Sequence, residues 1–341
     1  WRGIDAAPSL DFYYDEGTYY HAIINAYRDA GFAVIMPGWR GHGTVDGRAA
    51  DGLAFMAAWD QGSYLSPVFY AIDVMNLIDG LPSLGDAPLD LDRITLVAHS
   101  QGGDVALTVM AVADDDATTG LRQSLHGVSI WNGLIAPRLQ QARVHGLLQG
   151  TALSYLSGDG TWTGTAVAPD GRANPDFVFG WPPEWVDPAA ARAVSDRQQI
   201  QDVLIATFTK LYDALRKHVD NLGDAEFGLD VPDGERVAVL HDPRVVNGYA
   251  AADPSRVPER LNEPLTLHFS DRDMYSLPRW NRDLCASVNA AGGDCRAHEY
   301  EGNTHLLGLS DKAWFSNASH RAGFDQAVAR DAARFGVRSA R

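Results

Sequence analysis

The spacing of apolar and polar positions changes period along the chain. Over 16–30, Tyr19, Tyr20, Ile23, Ile24 and Tyr27 recur at steps of three and four, which predicts an amphipathic helix, and Gly31 supplies its stop. Residues 32–36 are then apolar without interruption, the pattern of a short strand buried on both faces. The alternation continues with a helix over 68–81 (Phe69, Ile72, Val74, Met75, Ile78), a buried strand over 93–98, a helix over 101–113 and an apolar strand over 127–131. Strands and helices alternating in this way predict a mostly parallel, doubly wound α/β sheet with helices on both faces.

After Trp131 the alternation stops. Between about 137 and 262 no βα unit is readable. That stretch holds a Gly/Thr-rich segment, a Pro/Trp-rich segment and one long amphipathic helix over 195–219, with Ile200, Val203, Leu204, Phe208, Leu211 and Leu215 on a single stripe. The βα pattern resumes with a strand over 264–269, a helix over 278–290, a turn at Gly292-Gly293, a strand over 296–300 and a closing helix over 321–335. The expected organisation is a core in two parts, 1–136 and 263–341, with 137–262 inserted between them as a cap or lid.

Composition narrows the partners. Of 341 residues 45% are hydrophobic, enough to build a large core and to exclude a disordered chain. With 44 acidic against 28 basic residues the net charge is −16, and no basic patch interrupts it, so nucleic acid and anionic membrane surfaces are not expected partners. No apolar run approaches the length of a membrane span. A small-molecule substrate remains, and oligomeric state is not legible. The two cysteines, Cys285 and Cys295, fall on the helix 278–290 and at the entry to the next strand. A disulfide between them and two separate buried thiols are both open. The compartment follows from that choice: extracytoplasmic if they are oxidised, cytoplasmic otherwise. Two cysteines without HExxH or CxxC spacing do not make a zinc site, and no metal or cofactor is expected.

The chemistry concentrates in three strand-end contexts. Ala98-His99-Ser100-Gln101-Gly102-Gly103 follows the apolar strand at 94–97 and opens a helix, the setting of a strained turn that lifts a serine nucleophile above a sheet. The small residue two before Ser100 and Gly102 two after it permit that turn. The Gln101 N–H at the helix start is the candidate oxyanion donor, and His99 flanks the pocket. A serine at neutral pH needs a base, and the base an acid to orient it. The strand 264–269 runs into Ser270-Asp271-Arg272-Asp273, where Asp273 is favoured as the acid over Asp271. His305, in the loop Tyr300-Glu301-Gly302-Asn303-Thr304-His305 after the last strand, is the base. The loop-borne aromatics Trp162, Phe177, Phe179, Trp181 and Trp185 are candidate pocket residues or the insertion's own small core.

With these motifs in the order Ser, Asp, His, the chain resembles the α/β-hydrolase superfamily, and within it the prolyl-oligopeptidase and dienelactone-hydrolase-like serine hydrolases. The resemblance also rests on Ala30-Gly31-Phe32-Ala33-Val34-Ile35-Met36-Pro37-Gly38-Trp39-Arg40-Gly41-His42-Gly43, Asp73-Val74-Met75-Asn76-Leu77-Ile78 and Leu91-Asp92-Arg93-Ile94, and spans about 15–135 and 262–341. It implies an α/β-hydrolase fold with a large inserted cap, and a pocket rim at Arg40-Gly41-His42-Gly43 in which Arg40 holds the loop. It also implies that the first core strands are absent from this sequence, which leaves the Trp1 N–H as a candidate second oxyanion donor. The expected activity is hydrolysis of a carboxylic ester through an acyl-enzyme. The alternatives are a serine peptidase of the prolyl-oligopeptidase type and a non-catalytic binding protein on the same scaffold.

Overall fold

The computed structural model of the protein describes residues 19–41, 44–45, 48–49, 52, 62–85, 87–113, 125–147, 197–231, 237–271, 273, 276–301, 305, 307 and 321–336. Helix α1, Tyr19–Asp29, stops at Gly31, whose φ of +94° suits a residue without a Cβ. A small antiparallel pair follows, β1 (Thr44–Val45) and β2 (Arg48–Ala49). Helix α2, Ser66–Gly80, carries a proline in its first turn, where a missing N–H is harmless. Then come β3 (Ile94–His99), α3 (Gln101–Ala113), β4 (Leu125–Trp131), α4 (138–147) and α5 (Arg197–His218). An antiparallel hairpin, β5 (Phe227–Asp230) with β6 (Ala238–His241), precedes α6 (Pro243–Ala251). The chain continues through β7 (Leu265–Ser270), α7 (Pro278–Ala290), β8 (Cys295–Tyr300) and α8 (Arg321–Phe335).

The described residues form a parallel sheet in the order β3-β4-β7-β8, with His99 beside Trp131 and Trp131 beside His268. Its two faces differ in chemistry. On one, Val128 and Ile130 of β4, Leu265, Leu267 and Phe269 of β7 and Cys295 of β8 pack against Leu107 and Met110 of α3 and Trp280, Leu284 and Val288 of α7. The alternate residues, Ser129, Thr266 and His268, are also buried but polar. Thr266 Oγ1 accepts from Arg334 Nη1 of α8 at 2.8 Å, and the carboxylate of Asp331 on the same helix accepts from Ser129 Oγ at 2.5 Å, His268 Nε2 at 2.9 Å, Trp131 Nε1 at 3.4 Å and the hydroxyl of Tyr27 on α1. The other ring nitrogen of His268 meets Tyr300 Oη at 2.9 Å. Burial pushes the Asp331 carboxyl up, and the bonds from His268, Ser129 and Tyr27 outweigh it, holding the group below the usual carboxylate range.

A second hydrophobic cluster is built from Leu204, Phe208, Leu211 and Leu215 of α5 with Leu222, Val237, Val245 and Tyr249, and Tyr64 and Leu65 pack against it. A buried ion pair joins α4 to the helix after Ser100: Arg138 reaches both oxygens of Asp104, at 2.5 and 3.0 Å, and also bonds the carbonyl of Ala252. Cys285 and Cys295 are joined as a disulfide across the α7–β8 turn, where Gly292 has φ +96°. No helix among the described residues is long and apolar enough to cross a membrane.

Three readings of the pattern need correction. The run at 32–36 is not a buried strand: its backbone forms no sheet ladder among the described residues, and Val34 and Ile35 are 40% and 44% exposed. A strand is buried by neighbours on both sides, and among the described residues none pairs with this run. The strand expected at 93–98 exists as β3, yet it is half-buried, with Val97 41% exposed. The β5–β6 hairpin and α6 were not legible as elements, although Pro232-Asp233-Gly234 between two apolar runs is a turn signal.

Candidate active site

β3 ends at His99 and α3 begins at Gln101, so Ser100 is the single residue between them, with φ +56°. Non-glycine residues rarely adopt that conformation, and it is held where the surroundings over-determine it. Here Ser100 N donates to Trp131 O at 3.1 Å, and Ser100 O accepts from Gly103 N at 3.0 Å and Leu134 N at 2.8 Å. The sequence spacing draws attention to Gly102, but the steric demand falls one residue later. A Cβ on Gly102 would lie 3.6 Å from Ala98 Cβ, an ordinary contact; a Cβ on Gly103 would lie 2.8 Å from Ile130 Cγ2 and 2.9 Å from Gly133 Cα. Gly103 is what lets α3 close down on the end of β4.

Both carboxylates after β7 are placed by backbone. Asp271 N donates to Tyr300 O at 2.8 Å, so Asp271 still belongs to the sheet edge of β7. Asp273, 1% exposed, lies past the turn, and its Oδ1 accepts from Ser276 N at 3.2 Å. Its Oδ2 is 2.7 Å from His305 Nδ1. A carboxylate accepts, so Nδ1 carries the proton and Nε2 is the basic ring nitrogen. His305 is itself 2% exposed. The structure thus brings Asp273 to His305. Among the described residues no hydrogen bond joins Ser100 Oγ to His305. What links the serine turn to the histidine is His99, whose Nε2 lies 2.8 Å from His305 O and whose ring centroid is 4.8 Å from that of His305.

Gln101 Nε2 donates to Ser66 Oγ at 3.1 Å, which ties the start of α3 to the start of α2. Arg40 is bound to Asp73 of α2 through its main-chain N at 2.9 Å and through Nε and Nη2 at 2.9 and 2.6 Å. That pairing raises the guanidinium pKa and ties the Arg40 loop to α2. Trp1, Trp162, Phe177, Phe179, Trp181 and Trp185 lie outside the described residues. A cleft of about 310 Å³ between α4, β6 and the start of α7 touches none of the residues singled out by the sequence. No group of three or more His, Cys, Asp or Glu among the described residues is arranged to hold a metal.

Asn132 escaped the sequence reading. It follows β4 with φ +45°, its N donates to His268 O at 2.7 Å, and its Oδ1 accepts from Ser270 N at 2.9 Å. It therefore pins the end of β7, three residues before Asp273. Asparagine tolerates a left-handed backbone, and that is the only signal its position in the sequence carries.

No family model matches the chain, and no curated protein matches it. Solved structures do. A monoacylglycerol lipase from Paleococcus ferrophilus is 17% identical, with 91% of this chain and 88% of that chain covered and a TM-score of 0.40. A bromoperoxidase from Bacillus anthracis is 15% identical over 92% of this chain and 86% of its own, with a TM-score of 0.44. An acylaminoacyl peptidase from Pyrococcus horikoshii is 11% identical over 76% of this chain and 27% of its own, with a TM-score of 0.37.

Proposed function

We propose that the protein is a serine hydrolase that cleaves a carboxylic ester through an acyl-enzyme. The observation that carries this is the buried Asp273–His305 pair at 2.7 Å, whose histidine is tied to the strand end that bears Ser100 in a left-handed turn. Ser100 Oγ attacks the ester carbonyl and passes its proton to His305 Nε2. Asp273 holds the Nδ1–H tautomer and stabilises the imidazolium as it forms. The Gln101 N–H, at the positive end of α3, meets the developing oxyanion. His305 then protonates the departing alcohol, and water attacks the acyl-enzyme with the same imidazole as base. The insertion 137–262 acts as a lid, with the α5 cluster packed against Tyr64 and Leu65 of the first core part.

The test is labelling with a fluorophosphonate probe and hydrolysis of p-nitrophenyl esters. Labelling should map to Ser100, and Ser100→Ala or His305→Ala should lower ester turnover by at least about a thousandfold. Faster turnover of a blocked dipeptide amide than of the ester would move the assignment to a peptidase. Absence of both labelling and turnover would assign the scaffold to binding.

A further inference from the structure

His99 is the last residue of β3 and the immediate neighbour of Ser100. Its Nε2 points at the main-chain oxygen of His305 from 2.8 Å. A carbonyl oxygen only accepts, so this nitrogen carries a proton. Burial pushes the His99 imidazole well below its ordinary range, and the nearby His305 adds to the effect, so His99 is the neutral Nε2–H tautomer at neutral pH. Among the described residues, His305 is therefore gripped at two points. Asp273 takes its ring at Nδ1, and His99 takes its backbone.

The two grips fix different things. Asp273 hangs from the end of β7, which is separated from β3 by β4, so its bond places the imidazole relative to β7. The bond from His99 places the same residue relative to β3, and Ser100 is the next residue along. Ser100 is in turn immobilised by its bonds to Trp131, Gly103 and Leu134. From Ser100 to His305 the path is one peptide link and one imidazole.

We propose that His99 is a positioning residue for the base: by donating its Nε2–H to the His305 main-chain oxygen it sets the distance between His305 and Ser100. This rests on the reading of Ser100 and His305 as nucleophile and base. A half-buried histidine that merely filled space would tolerate any side chain of similar volume, and one that donates from Nε2 would not. Glutamine carries an N–H close to the Nε2 position, asparagine carries one nearer Nδ1, and phenylalanine fills the space and donates nothing.

The experiment compares His99→Gln, His99→Asn and His99→Phe for kcat and KM on a p-nitrophenyl ester, for the rate constant of fluorophosphonate labelling and for thermal stability. A misplacement on the order of 1 Å lowers the rate about a hundredfold, so His99→Phe and His99→Asn should lose kcat and labelling rate by about 30- to 100-fold with KM changed by less than about threefold. His99→Gln should recover to within about fivefold of the parent. Equal impairment of His99→Gln and His99→Asn overturns the proposal, and that comparison stands even if His99→Phe does not fold. A loss confined to KM also overturns it, as does a folded His99→Phe with parental kcat and labelling rate. A parent protein that is neither labelled nor active overturns the serine-hydrolase reading and this proposal with it, whereas full labelling of the parent beside an unimpaired His99→Phe overturns this proposal alone.

Discussion

Adding one methyl group at either of two adjacent glycines tests how closely α3 is pressed onto the sheet. Gly102→Ala places a Cβ 3.6 Å from Ala98 Cβ and 4.0 Å from Trp39 Cη2, within ordinary contact. Gly103→Ala places one 2.8 Å from Ile130 Cγ2, 2.9 Å from Gly133 Cα and 3.3 Å from Ile135 Cγ2. Carbon atoms rest about 3.5–4.0 Å apart, so the second methyl overlaps a main-chain atom by roughly 0.6 Å or more. Rotating Ile130 relieves one contact but leaves the one with Gly133 Cα, and relief there requires α3 to lift or the loop after Asn132 to shift. Overpacking of this kind costs about 1–3 kcal/mol. Both substitutions gain the same helix propensity, up to about 1 kcal/mol, so the difference between them isolates the contact. Gly103→Ala should be less stable than Gly102→Ala by about 1–3 kcal/mol in urea unfolding with unchanged m-values. Because Leu134 N bonds Ser100 O, the displaced loop also moves the turn that bears Ser100, and on the proposed function ester turnover should fall at least about tenfold in Gly103→Ala. Equal stabilities for the two variants would refute the close approach of α3. A destabilised Gly103→Ala with parental turnover would refute the link from that approach to the placement of Ser100.

Arg138→Met strands the Asp104 carboxylate in the interior and should cost about 3–5 kcal/mol by chemical denaturation, while the double variant Arg138→Met/Asp104→Leu recovers part of that loss because neither charge is left alone. Asp331→Asn removes the negative charge and turns one of the two oxygens shared by Tyr27, Ser129 and His268 into an NH2 donor, and should cost about 2–4 kcal/mol at pH 7. The folded Asp331 carboxyl titrates below its ordinary value, so its contribution is complete above the unfolded carboxylate pKa near about 4 and is lost as pH falls through the folded value; the stability–pH curve of Asp331→Asn should be flatter on its acid limb. Thiol titration of the unfolded, unreduced protein should find neither cysteine free, and Cys285→Ala/Cys295→Ala should lose about 2–3 kcal/mol of stability for so short a loop.

The parallel core was legible because its signals are local. The helices at 101–113, 278–290 and 321–335 coincide with α3, α7 and α8, each bounded by a turn residue or a strand end that the sequence displays. What failed was whatever depends on distant partners. An apolar run such as 32–36 reads as a buried strand whatever lies beside it, and only pairing decides the matter. The preference for Asp273 over Asp271 agrees with the Asp273–His305 contact, whereas its structural reason, the bond of Asp271 N to Tyr300 O, is a register that the sequence does not display. Asn132 and the grip of His99 on His305 depend on contacts across 138 and 206 positions of sequence. The steric role of Gly103 is invisible for the same reason: in the sequence it is the second of two glycines, and the atoms that crowd it belong to β4 and the loop beyond.

The chain contains the residue types of a catalytic triad twice over, and connectivity is what separates the two sets. His268 and Asp331 are as buried as His305 and Asp273, and their contact of 2.9 Å is nearly as short as 2.7 Å. A serine, Ser129, stands in the same network. Yet Ser129 Oγ donates to the carboxylate of Asp331 and not to an imidazole, so the serine has an acceptor that already shares its charge among several donors and is held below its ordinary pKa. Such a group is a poor base. Both ring nitrogens of His268 are engaged, one by Asp331 and one by Tyr300, so the imidazole has no nitrogen with which to exchange a proton with a substrate. His268 also sits inside β7, with no exposure. Its order, serine to carboxylate to histidine to tyrosine, distributes one buried negative charge and fastens α1 and α8 to the sheet. In the other set the carboxylate meets the histidine at Nδ1, which directs the proton-accepting nitrogen elsewhere, and the serine occupies a strained turn between a strand and a helix start. The direction of each hydrogen bond, more than the roll of residue types, is why the proposed chemistry uses His305–Asp273 and leaves His268–Asp331 a structural part.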